Sequence, residues 1–303
     1  MFYDNGTSAR VWHAHAAAYQ AVYFDSATLR TGGAVEDGLS PSALRYVAQY
    51  HLDAYLAVSN YGAANWNPQE LRVLFAHPAE QQKLVRNLVR IIQNSPLCGI
   101  NLDFEEVAPQ DASAYVRFLA AAGRALHREH KLLTVDVPAI TPLDTWDGGY
   151  QDAAIAKNVD QVLVMTYDYS YQGGPPGPIA PIWWVKRAAI YAEHRIPLQK
   201  LSLGIPVYSY DWYGNRSPER SLNQVASLIR RYHAEPQWNT QAEEPYFTYT
   251  DASGQHHTVY YENARSIAAK LSLARQLHIQ NIFTWYVGSE NLPVWNVLKQ
   301  YQP

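Results

Sequence analysis

Along the chain, short apolar runs alternate with longer stretches whose apolar positions recur three and four residues apart, the pattern of strands followed by amphipathic helices. The runs predict strands at Phe2 to Asp4, Ala21 to Asp25, Ala54 to Asn60, Gly99 to Glu105, Leu133 to Pro138, Gln161 to Asp168, Leu201 to Val207 and Asn281 to Trp285. The helical periodicity predicts helices near Ser42 to Tyr50, Glu80 to Asn94, Ala112 to His130, Val185 to His194 and Asn263 to Leu277. Eight βα units are the number that closes a (β/α)8 barrel, an α/β fold.

The alternation breaks between Trp212 and Glu262. There a helical stretch near Ser221 to Tyr232 is followed by PYFTYTDASGQHHTVYY, a hairpin pattern with its turn at Asp251 to Gly254. The expected organisation is therefore a barrel over residues 1–212 and 263–303, with a small α+β insertion over 213–262 between the seventh strand and its helix. A first strand at the second residue leads to the expectation that further sequence, an export signal included, precedes Met1.

Composition narrows the picture. The chain has 303 residues, 48% of them hydrophobic and only 17% charged, which excludes an intrinsically disordered chain. A net charge of -3 without a basic block excludes a strongly cationic nucleic-acid surface, and no apolar run approaches the ~18 residues of a membrane span. Cys98 stands alone, so no internal disulfide can form. Tyr (23) and Trp (9) far outnumber Phe (7). Rings with a polar handle suit the half-apolar faces of sugars, and they suit core and rim positions equally.

The fourth predicted strand reads GINLDFEE. Side chains alternate along a strand, so Asn101, Asp103 and Glu105 share one face and Leu102 and Phe104 the other. Leu and Phe suit the helix-covered outside; the polar three must then point inward, with Glu105 nearest the C-terminal mouth. Neighbouring buried carboxylates are costly unless paired or sharing a proton, and no Lys or Arg occupies a predicted inward position. Such a strand points to acid–base chemistry.

These residues resemble glycoside hydrolase family 18, the chitinase-like fold, whose fourth-strand motif is DGxDxDxE. Here the motif stands as Cys98 to Glu105, with Cys98 and Asn101 in place of the first two Asp. Asn at the second place is similar to a bacterial branch acting on cell-envelope and spore polymers. VLVMTYDYS matches the family's MxYD at Met165, Tyr167 and Asp168; SLGIPVYSYDW resembles GIPxYGYDW and contains Tyr208; FYDNG and NIFTWYVG supply Tyr3 and Trp285.

The resemblance implies a retaining glycosidase of β-linked N-acetylglucosamine glycans, with peptidoglycan, chitin-like and exopolysaccharide substrates all open, in an extracytoplasmic setting and without a cofactor. A catalytically silent glycan-binding protein is the alternative. Glycosidases usually place two carboxyl groups across the bond, but Asp103 lies ~6.6–7 Å behind Glu105 on one strand, and the family is a substrate-assisted exception. By that resemblance Glu105 is the acid, Asp103 holds the acetamido N–H, Tyr167 donates to the acetamido oxygen and Asp168 orients the sugar. Tyr3, Asn101, Met165, Tyr208 and Trp285 complete the sugar site. Trp183, Trp184 and Trp212 follow the sixth and seventh strands on the mouth side, where they could stack on further sugars or pack in the core; Trp66, after the third strand, is similar. The close histidine pairs lack companion ligands at a metal spacing, so no metal is expected.

Overall fold

The computed structural model describes residues 14–15, 19–63, 65–144 and 148–301. The predicted strand Phe2 to Asp4, with Tyr3, lies outside them. The other predicted strands are present: β1 (Ala21–Arg30), β3 (Asp53–Ser59), β4 (Gly99–Asp103), β5 (Leu132–Pro138), β6 (Gln161–Met165), β7 (Leu201–Pro206) and β13 (Asn281–Trp285). They pair in parallel in the order of the chain, from β1 through to β13. An unforeseen strand, β2 (Ala34–Asp37), folds back antiparallel on the far end of β1.

The sheet curls on itself. Tyr23 from β1, Tyr55 and Ala57 from β3, Leu163 from β6 and Phe283 from β13 meet in one inner cluster, and the Tyr23 hydroxyl donates to Gln161 Oε1 across it at 3.0 Å. Residues of alternate parity face outward. Val22, Phe24, Leu56, Val58, Ile100, Leu102, Leu133, Val135, Val162, Val164, Leu201 and Leu203 form the larger core with the surrounding helices.

Those helices are α1 (Pro41–Tyr50), α2 (Pro68–Ala76), α3 (Pro78–Ile92), α4 (Ala112–Arg128), α5 (Asp152–Ile155), α6 (Ile182–Glu193), α8 (Ala264–Gln276) and α9 (Leu292–Gln300). In α3, Leu84, Leu88 and Ile92 recur every fourth position and are fully buried, each contributing up to about 1.5–3 kcal/mol of hydrophobic stabilisation. The helix starts follow their caps: Pro41 occupies the first turn of α1 after Ser40, whose hydroxyl accepts from Ala43 N, and Asn263 forms a capping box with Ser266 at α8.

A second, antiparallel sheet runs in the order β10 (Gln237–Asn239), β11 (Glu244–Thr250), β12 (His256–Tyr261), β8 (Tyr208–Trp212), β9 (Glu219–Ser221), with α7 (Leu222–Tyr232) packed on it. Its β11–β12 hairpin turns where the sequence predicts, at Asp251 to Gly254, and Gly254 takes the left-handed φ of +83° that the turn requires. β8 follows β7 after a single residue, so the sheet leaves the parallel strands directly at their C-terminal ends.

Candidate active site

The polar face of β4 lies inside the curled sheet, as the alternation predicts. Asn101 is fully buried: its Oδ1 accepts from Thr134 Oγ1 at 2.6 Å and its Nδ2 donates to Asp136 Oδ2 at 2.8 Å. The register sets Asn101 beside Thr134 and Leu102 beside Val135, so one step on, Asp103 of β4 neighbours Asp136 of β5. Asp103 and Asp136 are 5% and 2% exposed. One oxygen of each, Oδ1, is buried without a hydrogen-bond partner among the described residues. Burial, reinforced by Asp136, Glu105 and Asp25, holds the Asp103 carboxyl well above the usual carboxylate range. Burial likewise lifts Asp136 to about 7, with the Asn101 hydrogen bond opposing it.

β4 ends at Asp103, two residues earlier than the sequence suggests, and Glu105 begins the loop above it. The loop is nevertheless fixed. Asn60, 1% exposed just past β3, receives Glu105 N–H at Oδ1 (2.8 Å) and donates Nδ2 to Glu105 C=O (3.0 Å). Tyr150 donates its hydroxyl to Phe104 C=O at 2.7 Å. Glu106 then takes a left-handed φ of 58° and points its side chain to solvent, while Glu105 is half-buried. Burial, followed by repulsion from Asp168, Asp136 and Glu106, raises the Glu105 carboxyl to about 8. None of the ion pairs among the described residues involves Asp103, Glu105, Asp136 or Asp168.

Tyr167 and Asp168 follow the end of β6. Strand pairing stops at Met165 because Thr166 turns its hydroxyl to Gly204 C=O on β7 at 2.5 Å. A side chain at Gly204 would approach the Tyr167 ring and Val164 C=O within 2.9 Å, so glycine there makes room for Tyr167 over the inner face. The Tyr167 hydroxyl titrates well above its ordinary range, raised by burial and then by Asp136, Asp103, Glu105 and Asp168. Its ring lies 6.5 Å from that of Trp285, nearly parallel, and edge-on to Phe283 and Tyr208. Asp168 adopts φ of 61°, a conformation that Asp tolerates better than most residues. Its Oδ1 accepts from the hydroxyls of Tyr208 (2.5 Å) and Tyr210 (3.1 Å). Asp168 reaches solvent at the rim, yet enough protein surrounds it that burial raises its carboxyl against the pull of those two hydroxyls.

Asp103, Tyr167 and Asp168 thus converge with Glu105 at the C-terminal end of the parallel strands, and Asn101 lies beneath them. Trp285 stacks beside Tyr167, and Met165 packs half-buried against the inner tyrosine cluster. Tyr208 is fully buried and reaches the site through Asp168. Trp212, 5% exposed, packs with Ile179, Tyr208 and Tyr210 and offers no open ring face. Trp183 and Trp184 are half-buried in the first turn of α6, both against Tyr169, and Trp66 meets Tyr61 edge-on. Tyr3 lies outside the described residues.

Four residues went unseen in the sequence: Asn60, Asp136, Tyr150 and Glu219. Glu219, on β9, is hydrogen-bonded to Tyr286 next to Trp285; burial lifts it to about 7, the Tyr286 hydrogen bond opposing and Asp168 adding to the rise. A lone Asp in the strand pattern LLTVDVP was the available signal for Asp136; the other three carry none.

The likenesses to known proteins agree with this geometry. An uncharacterized glycosylase, YvbX, of Bacillus subtilis (strain 168) is 29% identical over 92% of this chain and 84% of its own length. The cortical fragment-lytic enzyme of Bacillus anthracis is 30% identical over 91% of the chain; the match spans 66% of that longer protein. The crystal structure of a chitinase from Chromobacterium violaceum ATCC 12472 superposes with a TM-score of 0.92 at 31% identity, covering 99% of this chain and 97% of that one. Residues 43–290, which include Asp103, Glu105, Tyr167, Asp168 and Trp285, match the family described as glycosyl hydrolases family 18, and the chain belongs to that family of glycoside hydrolases.

Proposed function

We propose that the chain is a retaining hydrolase of β-linked N-acetylglucosamine glycans, working by substrate assistance at the mouth of a closed (β/α)8 barrel. The observation that carries this reading is a carboxyl group at the mouth held above its ordinary range, with no free carboxylate facing it among the described residues. Glu105 holds its proton to about pH 8. Asp103 ends the strand that leads to it and stands behind it, and Asp168 already accepts two tyrosine hydroxyls, which weakens it as a nucleophile. The attacking oxygen is then the substrate's own 2-acetamido carbonyl.

In this reading the acetamido oxygen bonds to the anomeric carbon as the glycosidic C–O bond breaks, and Glu105 delivers its proton to the departing oxygen. The product is an oxazolinium ion. Water, deprotonated by the Glu105 carboxylate, opens it with net retention and restores the acid. Asp103 accepts the acetamido N–H, Tyr167 donates to the acetamido oxygen as charge develops, Asp168 orients the sugar, and Trp285 packs against its apolar face. Trp183 and Trp184 lie where further sugar units would pass. The names of the Bacillus relatives favour an envelope glycan such as spore or cell-wall peptidoglycan over crystalline chitin, acted on outside the cytoplasm. No helix among the described residues is long and apolar enough to cross a membrane.

The test compares N-acetylated and deacetylated chitooligosaccharides and peptidoglycan fragments, with products read by mass and anomeric configuration. Acetylated substrates should be cleaved with retention and deacetylated ones not. Glu105→Gln should lose at least about 10²-fold in kcat while still binding. Absence of turnover on every acetamido glycan would make the protein a glycan-binding module. Equal cleavage of deacetylated substrates would remove substrate assistance.

A further inference from the structure

Asp136 contributes a third carboxyl group to the interior beneath Glu105, and the mechanism above gives it no part. It comes from a different strand than Asp103, yet the β4–β5 register makes the two neighbours, and strands in a sheet stand only ~4.8 Å apart. The Thr134 hydroxyl donates to Asn101 Oδ1 and thereby fixes the amide with its NH2 toward Asp136 Oδ2. That bond leaves Asp136 Oδ1 free, and Asp103 Oδ1 is in the same condition, both buried and without a hydrogen-bond partner among the described residues.

The remaining polar groups among the described residues that act on Asp136 are Asp25 and Tyr23 from β1, Glu105 above, Tyr115 from α4 and Tyr167 past β6. None of these is a cation. Two adjacent carboxylates in such surroundings cannot both ionise, whereas one proton between two facing oxygens satisfies both.

We infer that Asp136 is a positioning residue that shares a single proton with Asp103 through their two unpartnered Oδ1 atoms. No bond to carbon changes in this arrangement. The proton stays within the pair when Glu105 protonates the leaving group, and the pair carries one negative charge throughout. Two consequences follow. Asp103 is held with its other oxygen available to accept the acetamido N–H, and the pair's charge beneath Glu105 helps keep the acid protonated. The inference rests on the proposed role of Asp103 for its catalytic consequence, but the shared proton itself does not depend on turnover.

The experiment uses the whole chain and its Asp136→Asn and Asp136→Ala variants. Aspartate labelled with carbon-13 at the carboxyl carbon is followed by NMR against pH, with Asp103→Asn and Asp136→Asn assigning the signals. The parent should show two coupled titration steps for the pair, and Asp136→Asn should leave Asp103 titrating in one step at least about one pH unit lower. On an acetylated oligosaccharide, kcat should fall about tenfold with KM changing less, because Asp103 loses the partner that fixes its other oxygen, while the basic limb of kcat/KM stays within about half a unit, since Asp103 alone carries the same single charge.

Independent single-step titrations in the parent, or an Asp103 titration unmoved in Asp136→Asn, would overturn the inference and leave Asp136 a packing residue. A parent that is inactive on acetamido glycans but shows the coupled steps would remove the proposed function and leave the shared proton standing. If Asp136→Asn unfolds, Asp136→Ala and the parent's own coupled steps give the answer.

Discussion

At the level of single residues the site is a set of carboxyl groups held above their ordinary range with no ion-pair partner among the described residues, and this has a measurable effect on stability. Glu105 has an ordinary value of 4.5 and is raised to about 8 in the folded chain. Between those values the unfolded chain has released a proton that the folded one keeps, so stability falls as pH rises through this window and is fully present below it. Glu105→Gln removes the titration. Relative to the parent, the variant should be more stable at pH 8 than at pH 5 by roughly 1–3 kcal/mol, a figure reduced from the full linkage value because the side chain is half-open to solvent. Urea denaturation midpoints at the two pH values check this, and an equal gain at both would mean that Glu105 is not held protonated. The same raised carboxyl predicts a catalytic basic limb near pH 8, so stability and activity should share one inflection.

At the level of elements, β4 carries the acid but does not hold it, since the strand ends at Asp103. The holding is done by Asn60 after β3, whose amide replaces the ladder hydrogen bonds that Glu105 N–H and C=O would have had in a longer strand. Asn60→Ala leaves both backbone groups buried without that partner and should cost about 1–3 kcal/mol for each group left unpaired. It should also lower kcat more than it raises KM, because the acid is displaced while the sugar contacts remain. A variant with lower stability and an unchanged kcat would show that the Asn60 contact supports only the fold.

The same element explains what the sequence makes legible. Period-two alternation exposes Asn101, Asp103 and Glu105 because three polar residues interrupt an apolar strand at fixed spacing. Tyr167 and Asp168 are legible through the resemblance of VLVMTYDYS to the family's MxYD motif, and they lie just past the end of β6. Asp136 is one polar residue in an apolar run, and its meaning depends on its register against β4. Asn60 and Tyr150 act on the backbone of residues 45 and 46 positions away, a relation that no local pattern carries. The β2 hairpin escapes for a different reason: β1 continues past its apolar part to Arg30, and its far end is paired by VED-type polar sequence.

At the scale of the whole molecule, the antiparallel sheet must be fastened beside the mouth for Tyr208, Tyr210 and Glu219 to act on the site. A fully buried ionic cluster joins the parts. Lys270 of α8 donates to Glu262 Oε1 at 2.7 Å and reaches Glu244 Oε1 of β11 at 3.4 Å, while Glu244 also accepts the N–H groups of Ile179 and Ala180 from the loop after β6. Helix, antiparallel sheet and loop therefore meet at one buried cluster. Burial raises Glu244 to about 8 even with Lys270 opposing the shift, so the pairing is already strained in favour of the neutral acid. Lys270→Met leaves two carboxylates buried together and should destabilise the chain by about 3–5 kcal/mol near neutral pH. The sign with pH is fixed. Without the cation Glu244, already raised by burial, binds its proton more tightly still when folded than when unfolded, so the deficit relative to the parent should shrink as pH falls toward 5. Denaturation midpoints for parent and variant at pH 5 and pH 8 measure this, with tryptophan fluorescence reporting Trp212 of β8 and Trp238 of β10 in the antiparallel sheet alongside the rest. A deficit independent of pH would mean that Lys270 contributes packing and not charge. A deficit of the expected form, accompanied by weakened catalysis at temperatures where the parallel strands remain folded, would show that the cleft wall depends on this one buried cation.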